Sequence, residues 1–457
     1  MAIDLGKCIR PMLRRAALAT LLLGVALPAA AETLGDTMVA AYRHSALLDQ
    51  QRAVLRAADE DVATAMAALR PVLQWTLEHS FVESEGFETT STTAALTASM
   101  TLYDFGRSQA AIDAAKETVL ATRYALIGVE QDILLTAVQA FMEVREAAEQ
   151  VELQQNSVRV LGQELQAAED RFEVGEITVT DVAQANAQLA ASRASLSSAE
   201  GDLQVAYEDY AAATGAKPQG LNAPPPLPQL PASLEAAQAS AQRNHPSILQ
   251  ASRLVAAAEL GVAAAVAERN PEISGSIGGQ ADKDGGSQMT LGVQMSQTIY
   301  SGGRLSSSHR KAMASRDETR ATLLNVSRQI NQSVGIAWAN IEVAGAQISA
   351  IDEQISAAQQ AYDGVREEAT LGARTTLDVL DSEQSLLEAR ADKITAEANL
   401  QLAHYQLLAA MGVLTVKDLK LGIPTYDPSA YYNAVRDAPY TSRQGENLDR
   451  VLRALNR

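Results

Sequence analysis

The stretch "RFEVGEITVTDV", Arg171 to Val182, interrupts a long helical pattern with one glycine, and this chain contains it twice. The second copy, "EATLGARTTLDV", runs from Glu368 to Val379, with its glycine and its Asp-Val pair displaced by 197 positions. A glycine at the end of a helical pattern is typical of a helix C-terminus. Each copy therefore predicts a turn between two helices.

The same displacement joins other motifs, so the chain contains an internal duplication. "LYDFGR" at 102–107 corresponds to "IYSGGR" at 299–304, and "AATGA" at 212–216 corresponds to "AAMGV" at 409–413. A fixed period of this kind indicates a repeated structural unit. The predicted organisation is a segment 1–31, a first repeat 32–216, a proline-rich linker 217–232, a second repeat 233–413 and a tail 414–457.

The first 31 residues have the pattern of a secretory signal peptide. A basic region containing Lys7 and Arg10 precedes the apolar run "AALATLLLGVAL", and small residues at Ala29 and Ala31 predict cleavage before Glu32. The only cysteine, Cys8, lies within this segment. We therefore expect an exported protein without disulfide bonds.

The net charge argues against a nucleic-acid partner. The whole chain carries −18 at pH 7, and the first 31 residues hold four basic residues and one acid, which leaves roughly −21. Binding to nucleic acid requires lysine and arginine to neutralise phosphates. We predict no nucleic acid among the partners.

Each repeat predicts the same order of elements: a helix, a β-hairpin, a very long helix and a return helix. The first helices span about Leu34–Leu69 and Leu234–Glu268 and stop before a proline. The later elements are predicted at about 72–105, 106–171 and 180–214 in the first repeat, and at about 272–299, 303–368 and 376–411 in the second. The long helices would measure roughly 100 Å.

The predicted strands alternate apolar and polar residues. Leu73, Trp75, Leu77 and Phe81 fall on one face. Trp75, Phe81 and Phe87 are candidates for the aromatic belt at a membrane interface, although packing at the junction with the helices is an alternative for aromatic residues near the hairpin ends. The apolar face predicts contact with outer-membrane lipid.

Four strands are too few to close a barrel, since about eight is the usual minimum. Unpaired strand edges are not tolerated in a membrane. We therefore expect several copies of the chain to share one barrel. The strand count alone permits a dimer or a trimer.

The duplicated signatures, together with "MTLYDFGR" and "QTIYSGGR", resemble the TolC family of outer-membrane efflux and secretion channels. The resemblance covers essentially the whole chain after the signal. It implies an α+β membrane protein whose homotrimer forms a 12-stranded outer-membrane barrel, four strands per protomer, that continues into a long periplasmic α-helical barrel. The tail "IPTYDPSAYYNAVRDAP", 423–439, resembles the subgroup that serves type I protein secretion.

The resemblance also implies a function and partners. It predicts the passive exit duct of a tripartite export system for proteins, drugs or both, opened when a periplasmic adaptor and an inner-membrane ABC or RND transporter dock. The protein would reside in the outer membrane with a large periplasmic portion. An alternative from another class is a periplasmic adaptor or coiled-coil scaffold, which also uses long helical hairpins.

The resemblance also implies which residues form the gate at the hairpin tips. Arg374 matches the arginine that ties the tip shut, and Asp181 with Thr180 matches its partner side. Asp378 and Asp381 match two aspartates that line the narrowest constriction. Adaptor docking is predicted at the hairpin tips, at Val174, Gly175, Leu371 and Gly372.

These assignments have simpler alternatives. The glycines are explained by helix ends alone, and an acid near a helix N-terminus stabilises the helix dipole without any gating role. One residue departs from the family pattern, because Ala369 stands where the closed reference has a tyrosine. The hydrogen-bond network of the gate is therefore expected to differ here.

Enzymatic chemistry has no support in the sequence. The five histidines are scattered without metal-ligand spacing, at 44, 79, 245, 309 and 404. The Gly-Gly pairs lack the lysine of a phosphate-binding loop. We predict no catalytic site, no metal site and no cofactor.

Overall fold

A computed structural model describes residues 31–84, 86–435 and 450. The predicted signal peptide lies outside the described residues except for Ala31, and so does most of the tail beyond Val435. The elements of the first repeat are α1 (Leu34–His44), α2 (Ala46–Ala67), β1 (Val72–Ser84), β2 (Phe87–Tyr103), α3 (Arg107–Glu173) and α4 (Val179–Thr214).

The second repeat has the same order of elements. These are α5 (Leu234–Asn244), α6 (Pro246–Ala267), β3 (Glu272–Asp282), β4 (Ser287–Ser296), α7 (Arg304–Thr370) and α8 (Thr376–Ala410). A short helix, α9 (Pro428–Val435), follows in the tail. The two long helices, α3 and α7, each contain 67 residues, which corresponds to about 100 Å.

The prediction of one continuous first helix in each repeat is wrong. Ser45 and His245 adopt extended backbone conformations, with ψ of 109° and 124°, and divide the predicted helix in two. The Ser45 hydroxyl accepts a hydrogen bond from the amide of Leu48, and Pro246 occupies the first position of α6. Both features favour a new helix start over continuation.

The break explains the glycine of the repeated "AATGA" and "AAMGV" motifs. A Cβ on Gly215 would lie 2.6 Å from Nδ1 of His44, and one on Gly412 would lie 2.5 Å from Cα of His245. Both glycines have positive φ, 89° and 78°. Only glycine combines this backbone conformation with so close an approach. The end of each return helix is thus fixed against the break at the start of its repeat.

The four strands form one antiparallel sheet in the order β1-β2-β3-β4. Their register aligns Trp75 with Leu96, and Ile277 with Leu291, so that the apolar residues of all four strands share one face. Trp75 is 65% exposed and Leu291 is 78% exposed in the single chain. A face of this kind requires an apolar environment outside the protomer.

The repeated "YDFGR" and "YSGGR" motifs make the junction between strand and helix. Asp104 accepts hydrogen bonds from the amides of Gly106 and Ser108, and the Ser301 hydroxyl accepts one from the amide of Leu305. Two arginines then tie the start of each long helix to the start of the second hairpin: Arg107 pairs with Glu272, the first residue of β3, and Arg304 pairs with Glu268, at the end of α6, both at 2.9 Å. The motifs thereby fix how each helix leaves the sheet.

The helical region has one main core to which both repeats contribute. Helix α3 packs against α4 of its own repeat and against α6 and α8 of the other. Among the fully buried residues are Leu134 and Phe141 of α3, Tyr210 of α4, Leu407 of α8 and Leu414 of the tail. The two repeats are therefore joined by shared burial of apolar surface.

Within the described part of the chain, three helices, α3, α6 and α7, contain an 18-residue window long and apolar enough to cross a membrane by length and composition. In α6 and α7 only 11% and 17% of that window is buried within the chain. The open apolar surface of these helices therefore needs a cover from outside the protomer, as does the apolar face of the sheet.

The linker is held by the start of the chain. Glu32 forms a parallel bridge with Leu221, and its carboxylate accepts a 2.5 Å hydrogen bond from the Tyr210 hydroxyl. The hydroxyls of Tyr210 and Thr37 lie 2.9 Å apart, and both residues are buried. Burial and the bond to Glu32 raise the pKa of Tyr210, so its hydroxyl stays protonated as a donor.

We expect Tyr210→Phe to destabilise the protein by about 1–3 kcal/mol, because the Glu32 carboxylate loses its donor and the buried Thr37 hydroxyl keeps only its bond to the Thr33 carbonyl. The measurement is the midpoint of heat-induced unfolding of the detergent-solubilised protein, followed by circular dichroism. Tyr207→Phe on the same helix is the matched control, since no hydrogen bond to its hydroxyl is found among the described residues. Equal midpoints for the two variants would contradict this role.

Candidate functional site

The two hairpin tips have the same backbone geometry. In the first, Gly175 has a φ of 77°, the Gly175 amide donates to the Phe172 carbonyl and the Glu176 amide donates to the Arg171 carbonyl. In the second, Gly372 and Ala373 make the equivalent bonds to Ala369 and Glu368. This pair of bonds is the Schellman motif, which ends a helix at a glycine. The duplicated glycine therefore has a structural reason.

An ion pair closes each tip turn, with the charges reversed between the repeats. In the first tip Arg171 precedes the turn and pairs with Glu176 at 3.3 Å. In the second tip Glu368 precedes the turn and pairs with Arg374 at 2.9 Å. Glu368 raises the pKa of Arg374, first by accepting its hydrogen bond and then by its charge. The two tips thus share a shape but differ in where each charge lies.

Each return helix begins with a capping box built from a threonine and an aspartate. The carboxylate of Asp378 accepts hydrogen bonds from the amide and the hydroxyl of Thr375, both at 2.9 Å. Asp181 makes the same bonds with Thr178, at 2.8 and 2.7 Å. These bonds lower the pKa of both aspartates. Both residues therefore stabilise helix starts and stay ionised at neutral pH.

The other predicted gate residues lie at the same end of the molecule. Thr180 is exposed in the first turn of α4, and Asp381 is exposed one turn beyond Asp378 on α8. Within the described protomer, Arg374 bonds to Glu368 and makes no hydrogen bond or ion pair with Asp181 or Thr180. The predicted contact of Arg374 with Asp181 and Thr180 stays a prediction about the assembled channel.

The predicted docking residues are prominent at the tips. Val174 is 72% exposed and Leu371 is 81% exposed, and each directly precedes the tip glycine. Ala369 is buried in the core of the second hairpin, with Tyr362, Val379 and Leu386. The position that departs from the family pattern therefore faces a packed interior in this protomer.

The structure brings three further charged residues together near the tips, which the sequence analysis did not identify. Glu383 is buried on α8, and Glu164 of α3 pairs with Arg366 of α7 at 3.4 Å. The only sequence signal is that Glu383 lies three residues from Leu380 and from Leu386, on the apolar side of α8. This spacing indicates burial only once it is known which face of α8 packs against the other helices.

Two of the three predicted interface aromatics have described side chains. Trp75 and Phe81 are exposed on the apolar face of β1. Phe87 is the first residue of β2, and its side chain lies outside the described part of the chain. Near the helix junction, Tyr103 and Phe105 pack edge to face with ring centres 4.6 Å apart. The assignment of Trp75, Phe81 and Phe87 to a membrane interface stays a prediction.

Comparison with known proteins gives a consistent result. The family model "Outer membrane efflux protein" matches residues 39–216 and 237–413. The outer membrane efflux protein BepC of Brucella suis biovar 1 is 33% identical over 419 residues, covering 90% of this chain and 91% of that protein. The outer membrane protein TolC of Escherichia coli is 24% identical over 426 residues, covering 86% and 85%.

A solved structure shows the same fold. The crystal structure of CusC superposes with a TM-score of 0.76 at 21% identity, covering 83% of this chain and 92% of that one. Together with the other channel structures that match, it confirms the predicted α+β fold of the protomer, in which a four-stranded sheet continues into long helices.

The family model matches both repeats. It supports a channel and not the alternative of a periplasmic adaptor or scaffold. It also confirms the predicted location in the outer membrane with a periplasmic helical part. This chain belongs to the outer membrane efflux protein family and is an outer-membrane export channel of the TolC type.

Proposed function

We propose that this channel is the passive exit duct of a tripartite machine, gated at the tips of its two periplasmic hairpins. The observation that carries the proposal is the clustering of Arg374, Asp378 and Asp381 at one hairpin tip. The neighbouring Leu380 packs in one apolar cluster with Ile177 of the first tip. The adaptor would dock on the exposed apolar residues Val174 and Leu371. An inner-membrane ABC or RND transporter would supply the energy, and the chain itself would catalyse no reaction.

The constriction would act through charge. In a threefold assembly, Asp378 and Asp381 each become a ring of three carboxylates, one helical turn apart. The hydrogen bonds from Thr375 keep Asp378 ionised. Rings of acidic side chains favour cations and bind multivalent cations within a pore. Block of the channel by multivalent cations would therefore show whether these carboxylates line the constriction.

The closed state would be held by Arg374. Its guanidinium is half exposed and pairs with Glu368 in the single chain, so it can exchange this partner. Exposed ion pairs of this kind contribute little to stability, because water and salt screen the two charges. In the closed trimer we expect Arg374 to bind the side of the first tip that carries Asp181 and Thr180. Docking of the adaptor would break this contact.

The type of cargo is also a proposal. The tail, which resembles the type I secretion subgroup, packs through α9 against α2, where the Tyr431 hydroxyl donates to Glu60 at 2.8 Å. We propose that export of proteins is among the functions of this channel. Secretion of a type I substrate by cells that carry this chain as their only TolC-type channel is the test, and a lack of secretion with intact drug efflux would contradict it.

We expect Asp378→Asn with Asp381→Asn to weaken block of the channel by multivalent cations by about tenfold, because both proposed rings lose their negative charge. Asparagine keeps an oxygen for the capping box, so the helix start is preserved. The measurement is block of single-channel current in planar bilayers, with Asp392→Asn, an exposed acid farther along α8, as the control. Unchanged block in the double variant would remove the constriction role.

We expect Arg374→Ala to raise passive leakage through the channel, because the contact that holds the tips together is lost. Glu368→Gln is the matched variant, since it breaks the intramolecular pair while leaving Arg374 available for the other tip. Entry of a large antibiotic into cells gives the readout. If Arg374→Ala leaks no more than wild type, Arg374 does not hold the tips closed. If both variants leak equally, the pair between Arg374 and Glu368 within one hairpin closes the channel, and not a contact with the other tip.

A further inference from the structure

Glu383 is a buried carboxylic acid that the proposed gate does not use. It lies on α8 with 8% of its surface exposed, and its Oε2 atom has no hydrogen-bond partner among the described residues. Buried polar groups in proteins are nearly always paired, and a buried charge without a partner is costly. An unpaired acid in this position therefore needs an explanation.

The acid lies where the cores of the two hairpins meet. One turn before it, Leu380 packs into the core of the first hairpin, against Leu161. One turn after it, Leu386 packs into the core of the second hairpin, against Tyr362. Residues three apart lie on the same side of a helix. We call this contact zone between α8 and the first hairpin the hairpin seam.

The groups that face Glu383 come from the elements packed around the seam. Helix α3 contributes Glu164, and α7 contributes Arg366 and Tyr362. From α4, the neutral Gln188 donates to Gln384 at 3.2 Å. Arg366 is also paired with Glu164, so its positive charge is shared between two acids. This cation therefore does not fully compensate an ionised Glu383.

We propose that Glu383 makes the hairpin seam sensitive to protons, so that acid holds the two hairpins together and alkaline conditions loosen them. The neutral carboxyl can be buried without a charge penalty, and its O–H is a donor that the carboxylate lacks. Movement of α8 away from the first hairpin would return the group to water. The link from the seam to channel opening rests on the proposed gating at the tips.

The direction follows from proton binding in the two states. Burial, and then the charge of Glu164, raise the pKa of Glu383 in the packed seam to about 7. In water a glutamate has a pKa of about 4.3. Between these values the packed seam holds a proton that the separated seam has lost, so each unit of pH favours separation by up to about tenfold. Below and above this window the dependence is flat.

The seam can be measured apart from conduction. Gln188→Cys with Gln384→Cys places two thiols across it, and the only natural cysteine, Cys8, lies in the predicted signal peptide. The rate of cross-linking by a bis-methanethiosulfonate is measured from pH 4.5 to 8.5 in outer-membrane vesicles. Each rate is divided by that of the same cysteine pair carrying Glu383→Gln, so that the intrinsic pH dependence of thiol chemistry cancels.

We expect this ratio to fall by about tenfold or more between pH 4.5 and 7.5, because Glu383 loses its proton over this range while the glutamine of Glu383→Gln cannot ionise. Glu353→Gln, an exposed acid of α7, should leave the ratio to wild type constant at every pH. Glu383→Met is a second neutral variant, which should match Glu383→Gln in its lack of pH dependence if packing is retained. A constant ratio for Glu383→Gln would overturn the proposal.

Single-channel opening in planar bilayers separates the seam from the gate. Glu383→Gln should open less often than wild type at pH 7.5 and equally often at pH 4.5. If cross-linking responds to Glu383 while opening does not, the seam is proton-sensitive and the proposed link from the seam to channel opening is wrong. If neither responds, the proposal about Glu383 is wrong while gating by Arg374 is unaffected.

Discussion

The whole architecture depends on a four-stranded sheet that one chain cannot complete. The order β1-β2-β3-β4 leaves β1 and β4 as edges, and the register collects the apolar side chains on one exposed face. In lipid, every backbone donor and acceptor must be satisfied within the protein. Neighbouring copies therefore supply the missing strand partners, and the same neighbours can cover the open apolar surfaces of α6 and α7.

The duplication extends this constraint to the far end of the molecule. The two long helices have the same length and leave the sheet through the same motif, so they carry their tips to the same level. There the repeats differ in charge placement, and Leu380 of the second hairpin packs into the core of the first. Movement of one hairpin is thus coupled to the other through packing near the tips, which is a suitable place for a gate.

Sequence reasoning predicted the repeat, the element order and the tips, because these depend on short local signals such as Gly175 and Gly372. It missed the break at Ser45, since one serine in an alanine-rich helix resembles any exposed polar residue until its cap is seen. It could not assign Glu368 as the partner of Arg374 in the single chain, because the turn brings them together. It also could not single out Glu383, whose burial depends on contacts with the other repeat.

The number of chains in the purified protein tests the central claim most directly. Light scattering of the detergent-solubilised protein, corrected for bound detergent, gives the mass of the protein alone. Shared completion of the barrel predicts three chains per particle and no folded particle without detergent. A folded, water-soluble single chain would contradict it, because the exposed apolar face and the free edges of the sheet would then need no partner.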